Sequence, residues 1–149
     1  MNVWPPFRAA GIRVRAIGAD WHSARVEMRE RLLNRNFVGT HFGGSLFAMT
    51  DPFHVVLLLQ ILGRDYLVWD VAAEIEFLKP GRGTVSSEIR LEPAVIEELR
   101  AAAKGGEKVL HDFPVEIRDT SNELVARIQK RVYARLKPRL RPGAHQEAA

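Results

Sequence analysis

Residues 42–62 read FGGSLFAMTDPFHVVLLLQIL, and this stretch decides the fold. Apolar residues occupy nearly every position from Ser45 to Leu62, which predicts a helix that is buried on all sides. A membrane span of about 20 residues would contain few polar groups. This one is interrupted by four residues that a span disfavours: Asp51, Pro52, His54 and Gln60. We therefore expect a core helix that ends at Gly63.

Apolar and polar residues alternate on both sides of this helix, as in strands with one buried face. The predicted strands are residues 12–17, 23–31, 66–79, 84–91, 107–118 and 123–136, with a short extra helix at 94–104. The third strand is expected to place Val71, Ala73, Ile75 and Phe77 on one face, and Trp69 rather than Asp70 in the core or a pocket wall.

This order of elements predicts an α+β fold, in which a curved six-stranded antiparallel sheet wraps around one long central helix. One sheet cannot cover a helix that is apolar all round. We therefore expect a second subunit to cover the remainder, which predicts an oligomer.

The composition narrows the possible functions. The chain has 149 residues, 22 Lys and Arg against 18 Asp and Glu, and no cysteine. This length predicts a single domain, placed at residues 1–137 and followed by a flexible basic tail at 138–149. The missing cysteines exclude disulfides and thiolate chemistry, and the five histidines never pair at i,i+4, so no metal site is predicted.

The modest charge and the absence of a nucleic-acid-binding module argue against a nucleic-acid partner. No signal peptide is evident, so a cytoplasmic location without a membrane partner is expected.

The junction between the glycine-rich loop and the helix is the candidate site. Gly43 and Gly44 allow a ligand to approach the backbone, and the first turn of a helix has N–H groups without helical acceptors. Asp51 follows two turns later within the apolar stretch. It is interpreted either as a general base or nucleophile in a pocket, or as a local cap at a helix break before Pro52. His54 is interpreted as a core or interface histidine.

These residues belong to a pattern of fixed spacing: Asn36-xx-Gly39-Thr40-xx-Gly43-Gly44-xxxxxx-Asp51, with Phe77-Leu78-Lys79-Pro80 ending the next strand. The pattern resembles that of hotdog-fold acyl-CoA thioesterases, and most closely the phenylacetyl-CoA thioesterase type. Residues 42–52, followed by residues 66–70, resemble a thioesterase-like hotdog family known as DUF4442. The resemblance covers most of residues 10–137 and implies a homodimer or tetramer with active sites at the subunit interface.

The resemblance implies a role for each residue of the junction. The N–H groups at Gly43 and Gly44 would polarise the thioester carbonyl. Asp51 would activate water or attack directly, on substrate held by the Gly43 loop of the neighbouring subunit. Asn36, or alternatively Asn34, would place water or substrate. No cofactor is expected, because coenzyme A belongs to the substrate.

Further substrate-binding side chains are also implied: His41, Phe42, Ser45, Lys79 and Arg82. Lys79 and Arg82 would lie near the phosphates of coenzyme A, although a solvated basic turn explains them equally well. Related thioesterases usually have histidine directly before the two glycines, where this chain has Phe42. Two other functions therefore stay open, a non-catalytic acyl-thioester binding protein and a hydratase or dehydratase that uses His41.

Overall fold

The structure is a computed structural model that describes residues 1–140. This part of the chain contains six strands: β1 (Ile12–Ile17), β2 (Ser23–Arg29), β3 (Tyr66–Phe77), β4 (Thr84–Arg90), β5 (Val109–Asp119) and β6 (Leu124–Leu136). Its α-helices are α1 (Pro5–Ala10), α2 (Gly43–Ala48), α3 (Phe53–Leu62) and α4 (Pro93–Ala103), and short 3-10 turns occur at Leu32–Asn34 and Pro138–Leu140. Most of the predicted tail lies outside the described residues.

The strands form one antiparallel sheet in the order β1-β2-β4-β5-β6-β3. The predicted α+β class, the six strands and the long helix between β2 and β3 are confirmed. Helix α1 was not predicted. It buries Phe7 against the core and ends at Gly11, whose positive φ of 76° is easily adopted by glycine.

The central helix consists of α2 and α3, joined by a turn at residues 49–52. Proline cannot donate a backbone hydrogen bond and clashes with the carbonyl four residues earlier, so the helix is interrupted before Pro52. Core side chains on both sides of the turn, including Met49, Phe53 and Leu57, have no exposed surface. Residues 1–140 contain one segment that is long and apolar enough to cross a membrane, Gly43–Leu62. Because these side chains pack into the core of the sheet, the segment is a core helix.

A β-bulge at Val71 changes the faces of β3. Asp70 is paired with Val132 and Ala72 with Arg131, so Val71 has no partner on β6. The expectation that Val71 shares a face with Ala73 and Ile75 is therefore wrong, because the extra residue reverses the alternation.

The same strand corrects the expectation for Trp69. Its side chain is 43% exposed and stacks on Tyr133, with 3.9 Å between ring centroids. Asp70, its neighbour on the opposite face, is the residue that points towards the central helix, where it contacts Lys130. Trp69 therefore does not lie in the core, because the bulge two residues later reverses the alternation on which the expectation was based.

Strand β3 is also an edge of the sheet. It is twelve residues long and, within residues 1–140, pairs only with β6. Trp69, Val71 and Phe77 are each more than two-fifths exposed. A long edge strand presents unpaired N–H and C=O groups that can pair with another strand.

His54 lies within the core on α3. It is 1% exposed, and its ring stacks on Phe113 with 4.8 Å between centroids. Burial, followed by the nearby charges of Lys130 and His111, lowers the pKa of His54 to about 4. The predicted core histidine is therefore buried and neutral at physiological pH.

This burial predicts a pH-dependent stability. Between pH 6.5 and about 4 the unfolded chain binds a proton at His54 that the folded chain does not bind. The free energy of unfolding should therefore be greatest above pH 6.5 and fall as the pH drops, by about 2 kcal/mol between pH 8 and pH 5 for this group. Urea unfolding across this range should show a flatter profile for His54→Phe, which keeps the stacked ring. His22→Gln, in the turn between β1 and β2, is the histidine control. An unchanged slope in His54→Phe would contradict the assignment.

Candidate functional site

The loop before the central helix is organised by Asn36. Its Oδ1 accepts hydrogen bonds from the N–H groups of Val38 (3.1 Å) and Thr40 (3.0 Å). Its Nδ2 donates to the Thr40 Oγ1 (2.9 Å) and to the His41 carbonyl (3.3 Å). Because all four contacts lie within residues 36–41, the side chain that was predicted to place water or substrate shapes the loop itself.

Asn34, the alternative to Asn36, is buried away from this loop. Its Oδ1 accepts from the N–H of Arg31 (2.7 Å), and its Nδ2 donates to the carbonyls of Ala10 (2.8 Å) and Arg29 (2.9 Å). These bonds join the end of α1 to the end of β2. The side-chain amide of Asn34 therefore makes its hydrogen bonds to the backbone of the fold.

His41 and Arg82 hold the turn before β4 against the loop. The N–H of His41 donates to Gly81 (2.9 Å), and its Nε2 donates to the Gly83 carbonyl (3.0 Å). Arg82 Nη1 donates to the Gly39 carbonyl (3.0 Å). His41 is only 3% exposed, and this burial lowers its pKa, which favours the neutral ring.

Lys79 is engaged at the other end of this region. Its Nζ lies 2.5 Å from Asp119 Oδ2 and also contacts Glu123, both in the turn between β5 and β6. The hydrogen bonds to these two carboxylates raise the pKa of Lys79. A phosphate that binds here would compete with two carboxylates already in place.

The first turn of α2 is closely packed around its two glycines. An added Cβ at Gly43 would lie 2.9 Å from the Phe77 ring, and one at Gly44 would overlap the Phe42 ring. The N–H groups of Ser45 and Leu46 donate to the Phe42 carbonyl at 2.9 and 3.1 Å. Gly43 and Gly44 are the first two residues of the helix, so their N–H groups have no helical acceptor.

A cleft of about 430 Å³ opens beside this turn, within the range of small-molecule sites. It brings together four of the predicted site residues: Asn36, His41, Gly43 and Lys79. Phe42 and Ser45 lie instead on a second, shallow cleft against α1. Neither cleft is lined by Asp51.

Asp51 lies in the turn between α2 and α3, and its side chain is 51% exposed. Its Oδ1 accepts a hydrogen bond of 2.7 Å from Lys130 Nζ on β6. The same Nζ lies 2.7 Å from Asp70 Oδ2 on β3. The carboxylate that was predicted to be buried is therefore half-exposed and paired with a buried cation. It does not cap α3, whose N-terminal position is occupied by Pro52 without a side-chain hydrogen bond.

Lys130 and Asp70 were not predicted as site residues, although the sequence contains a signal for Lys130. The buried positions of β6 alternate as Ala126, Ile128, Lys130, Val132 and Ala134. A lysine in the middle of an apolar face needs a buried partner of opposite charge. No comparable signal marks Asp70, because the bulge after it cannot be located from the sequence.

Asp51 and the helix start are separated within one chain. Asp51 follows Gly44 by seven positions, through the rest of α2 and into the turn, which corresponds to about 10 Å along the axis at the rise of a helix. The glycine N–H groups and the carboxylate of one chain therefore do not meet at one carbonyl group. No group of three or more potential metal ligands occurs within residues 1–140.

The antiparallel sheet, the central helix between β2 and β3, and the Gly-Gly start of that helix place the chain in the class of hotdog-fold proteins. The chain belongs to the DUF4442 family, a domain of unknown function, whose family model matches residues 1–134. The predicted family and fold are both confirmed. No protein of curated function matches the chain.

Solved structures of other proteins share this fold. PA5026 from Pseudomonas aeruginosa, a protein of unknown function described as a probable thioesterase, has a TM-score of 0.73 and 20% identity, with 87% of this chain and 86% of that chain covered. The thioesterase HI1161 from Haemophilus influenzae has a TM-score of 0.65 and 15% identity, with 91% and 85% covered. The PaaI protein from the phenylacetic acid degradation operon of E. coli has a TM-score of 0.63 and 18% identity, with 91% and 87% covered.

Proposed function

We propose that this chain is a thioesterase that hydrolyses an acyl-CoA or a related acyl thioester. The observation that carries the proposal is a half-exposed aspartate, held by a buried lysine, on a helix whose first two residues are glycines. Two of the structures with the same fold are described as a thioesterase or a probable thioesterase. This agrees with the proposal, although the shared fold alone does not determine the reaction.

The chemistry requires a group that polarises the thioester carbonyl and a general base, and the chain has residues for both. The N–H groups of Gly43 and Gly44 would donate to the thioester carbonyl oxygen, which becomes more negative as the carbonyl is attacked. Asp51 would take a proton from water as the water oxygen attacks the carbonyl carbon. The C–S bond would then break, and the leaving thiolate would receive the proton that Asp51 took from water, so the products are a carboxylic acid and a free thiol. No cofactor is needed, since coenzyme A is part of the substrate.

The separation of about 10 Å between Gly44 and Asp51 favours a site shared by two chains. In this arrangement, Asp51 of one chain acts on a carbonyl held by the Gly43 loop of another. The exposed edge of β3 is the surface through which a second copy would pair. The proposed assembly is therefore a homodimer or a tetramer of such dimers, acting on a small thioester in the cytoplasm.

A non-catalytic acyl-thioester binding protein is the second candidate. The cleft at the helix start is compatible with binding without catalysis, because its lining contains Gly43 and His41 but no carboxylate that could act as a base. Phe42 also replaces the usual histidine and cannot donate a side-chain hydrogen bond. A hydratase or dehydratase has less support, because His41 is buried and its Nε2 is bound to the Gly83 carbonyl.

The first test is thiol release from acyl-CoAs of graded chain length and aromatic character. Asp51→Asn should remain folded, because Asp70 still compensates Lys130, and kcat/KM should fall at least about 100-fold with loss of the general base. Asp65→Asn is the matched control, since Asp65 is exposed in the loop after α3. Its kcat/KM should stay at the wild-type value.

Two results would contradict the proposal. Wild-type turnover by folded Asp51→Asn would show that Asp51 is not the base. If the wild-type protein releases no thiol but binds acyl-CoA saturably in calorimetry, the chain is a binding protein.

The second test concerns the edge of β3. Ala72 on β3 and Ala16 on β1 are both exposed, lie on opposite edges of the sheet and are each paired in register with an arginine. Ala72→Glu would place like charges together in a symmetric pair of β3 strands, which is unfavourable. Light scattering after gel filtration should show at least a ten-fold increase in the dimer dissociation constant. Ala16→Glu should have the wild-type mass, and a similar effect of both variants would exclude β3 as the specific pairing edge.

A further inference from the structure

Lys130 is a buried cation with two carboxylates and one aromatic ring around its ammonium group. Its side chain is 1% exposed. Its Nζ lies 2.7 Å from Asp51 Oδ1, 2.7 Å from Asp70 Oδ2 and 5.5 Å from the centroid of the Phe47 ring. An ammonium has three N–H donors. Two of them are directed to the two carboxylate oxygens, and the Phe47 ring lies within cation–π distance of the charge.

The charges around Lys130 do not cancel. One cation lies between two carboxylates, which leaves one negative charge for the cluster when all three groups are ionised. Asp70 has only 25% of its side chain exposed, and its Oδ1 has no hydrogen-bond partner among residues 1–140. Burial raises the pKa of Asp70, and the Lys130 hydrogen bond opposes this effect. The excess negative charge is therefore best solvated at Asp51, the half-exposed member of the cluster.

We propose that Lys130 is a positioning residue for Asp51, and that Asp70 holds Lys130 in place. Lys130 binds one oxygen of Asp51 and so leaves the second oxygen directed to the water that attacks the substrate. This inference rests on the proposed thioesterase function, because it assigns Lys130 a role in the same reaction. Lys130 itself does not touch the substrate, since its side chain is buried.

The sheet supports this arrangement. Lys130 and Asp70 come from neighbouring strands, in which Ala73 is the register partner of Lys130 and Val132 that of Asp70. The bulge at Val71 lies directly after Asp70. Bulges re-aim nearby side chains and are frequent next to active sites. The two strands thus present a carboxylate and an ammonium to the one turn of the central helix that contains Asp51.

The decisive variant removes both buried charges together. Lys130→Met alone would leave Asp70 as a buried carboxylate without its cation, which is strongly destabilising. Lys130→Met with Asp70→Asn removes one positive and one negative charge and leaves Asp51 unchanged. The matched control is Arg131→Met with Asp112→Asn. This control also removes one basic and one acidic side chain, and Arg131 is the next residue along β6. The pair that it removes is exposed and is joined by two hydrogen bonds of 2.7 Å.

The experiment compares steady-state thiol release for four proteins: wild type, the Lys130 and Asp70 double variant, the Arg131 and Asp112 double variant, and Asp70→Asn. Circular dichroism and thermal unfolding establish that each is folded. The Lys130 and Asp70 double variant should lose at least ten-fold in kcat, while KM stays within about three-fold of wild type. Asp70→Asn should lower kcat less, because Lys130 still holds Asp51. The Arg131 and Asp112 variant should have wild-type kinetics.

The outcomes separate this inference from the proposed function. Absence of thiol release by the wild-type protein would overturn the proposed function, and that result appears without any variant. If the wild type is active, wild-type kcat in the folded Lys130 and Asp70 double variant would overturn the positioning role. A loss confined to KM would also overturn it, since that would indicate substrate binding. A loss in Asp70→Asn as large as in the double variant would assign the role to Asp70 instead.

A double-mutant cycle gives a readout that does not depend on turnover. Lys130→Met and Asp51→Asn are combined in the Asp70→Asn background, and unfolding is followed in urea. The proposed contact predicts non-additive effects, with a coupling of at least five-fold in the unfolding equilibrium constant. Additive effects would show that Lys130 does not hold Asp51 in solution and would overturn the inference.

Discussion

The central helix is apolar on every side, and this requirement for burial determines the rest of the structure. The six-stranded sheet covers one side of the helix, on which Phe53, Leu57 and Leu58 have no exposed surface. Val55, Val56 and Leu59 remain half-buried or exposed on the same helix. Apolar surface of this kind is typical of an interaction surface. The same requirement that builds the fold of one chain therefore also favours a second copy.

The sequence predicted those features that follow from local periodicity. Alternation identified all six strands, and the all-apolar stretch identified the central helix. The errors occurred where one residue changes the pattern. The bulge at Val71 reversed the faces of β3 and placed Trp69 outside, and no periodicity argument locates a single inserted residue. Helix α1 was missed because it is only six residues long and is stabilised by burying Phe7 rather than by its own sequence.

The candidate site was predictable in part for the same reason. The glycines and Asp51 lie in one continuous stretch, so their spacing along the helix could be read directly. The partners of the polar side chains could not be predicted from the sequence, because they come from distant parts of the chain. Lys79 is bound by Asp119 and Glu123, forty or more residues away, and Asp51 by Lys130, seventy-nine residues away. Asn36 and His41, for example, line the candidate cleft, and their side chains also make hydrogen bonds that hold the loop, which the sequence did not predict.

The interruption of the helix before Pro52 connects the fold to the proposed chemistry. An aspartate in the middle of a continuous buried helix would lose its hydration, and this would favour the protonated form. The turn at residues 49–52 instead keeps half of the Asp51 side chain exposed, while Met49 and Thr50 beside it are fully buried. Lys130 approaches from the sheet and supplies the opposite charge on the buried side. A carboxylate with one oxygen bound to a fixed cation and the other side in contact with solvent presents an oxygen in a defined position to water. Three features thus contribute to a single arrangement around Asp51: the proline that interrupts the helix, the bulge in β3 that follows Asp70, and the buried lysine on β6.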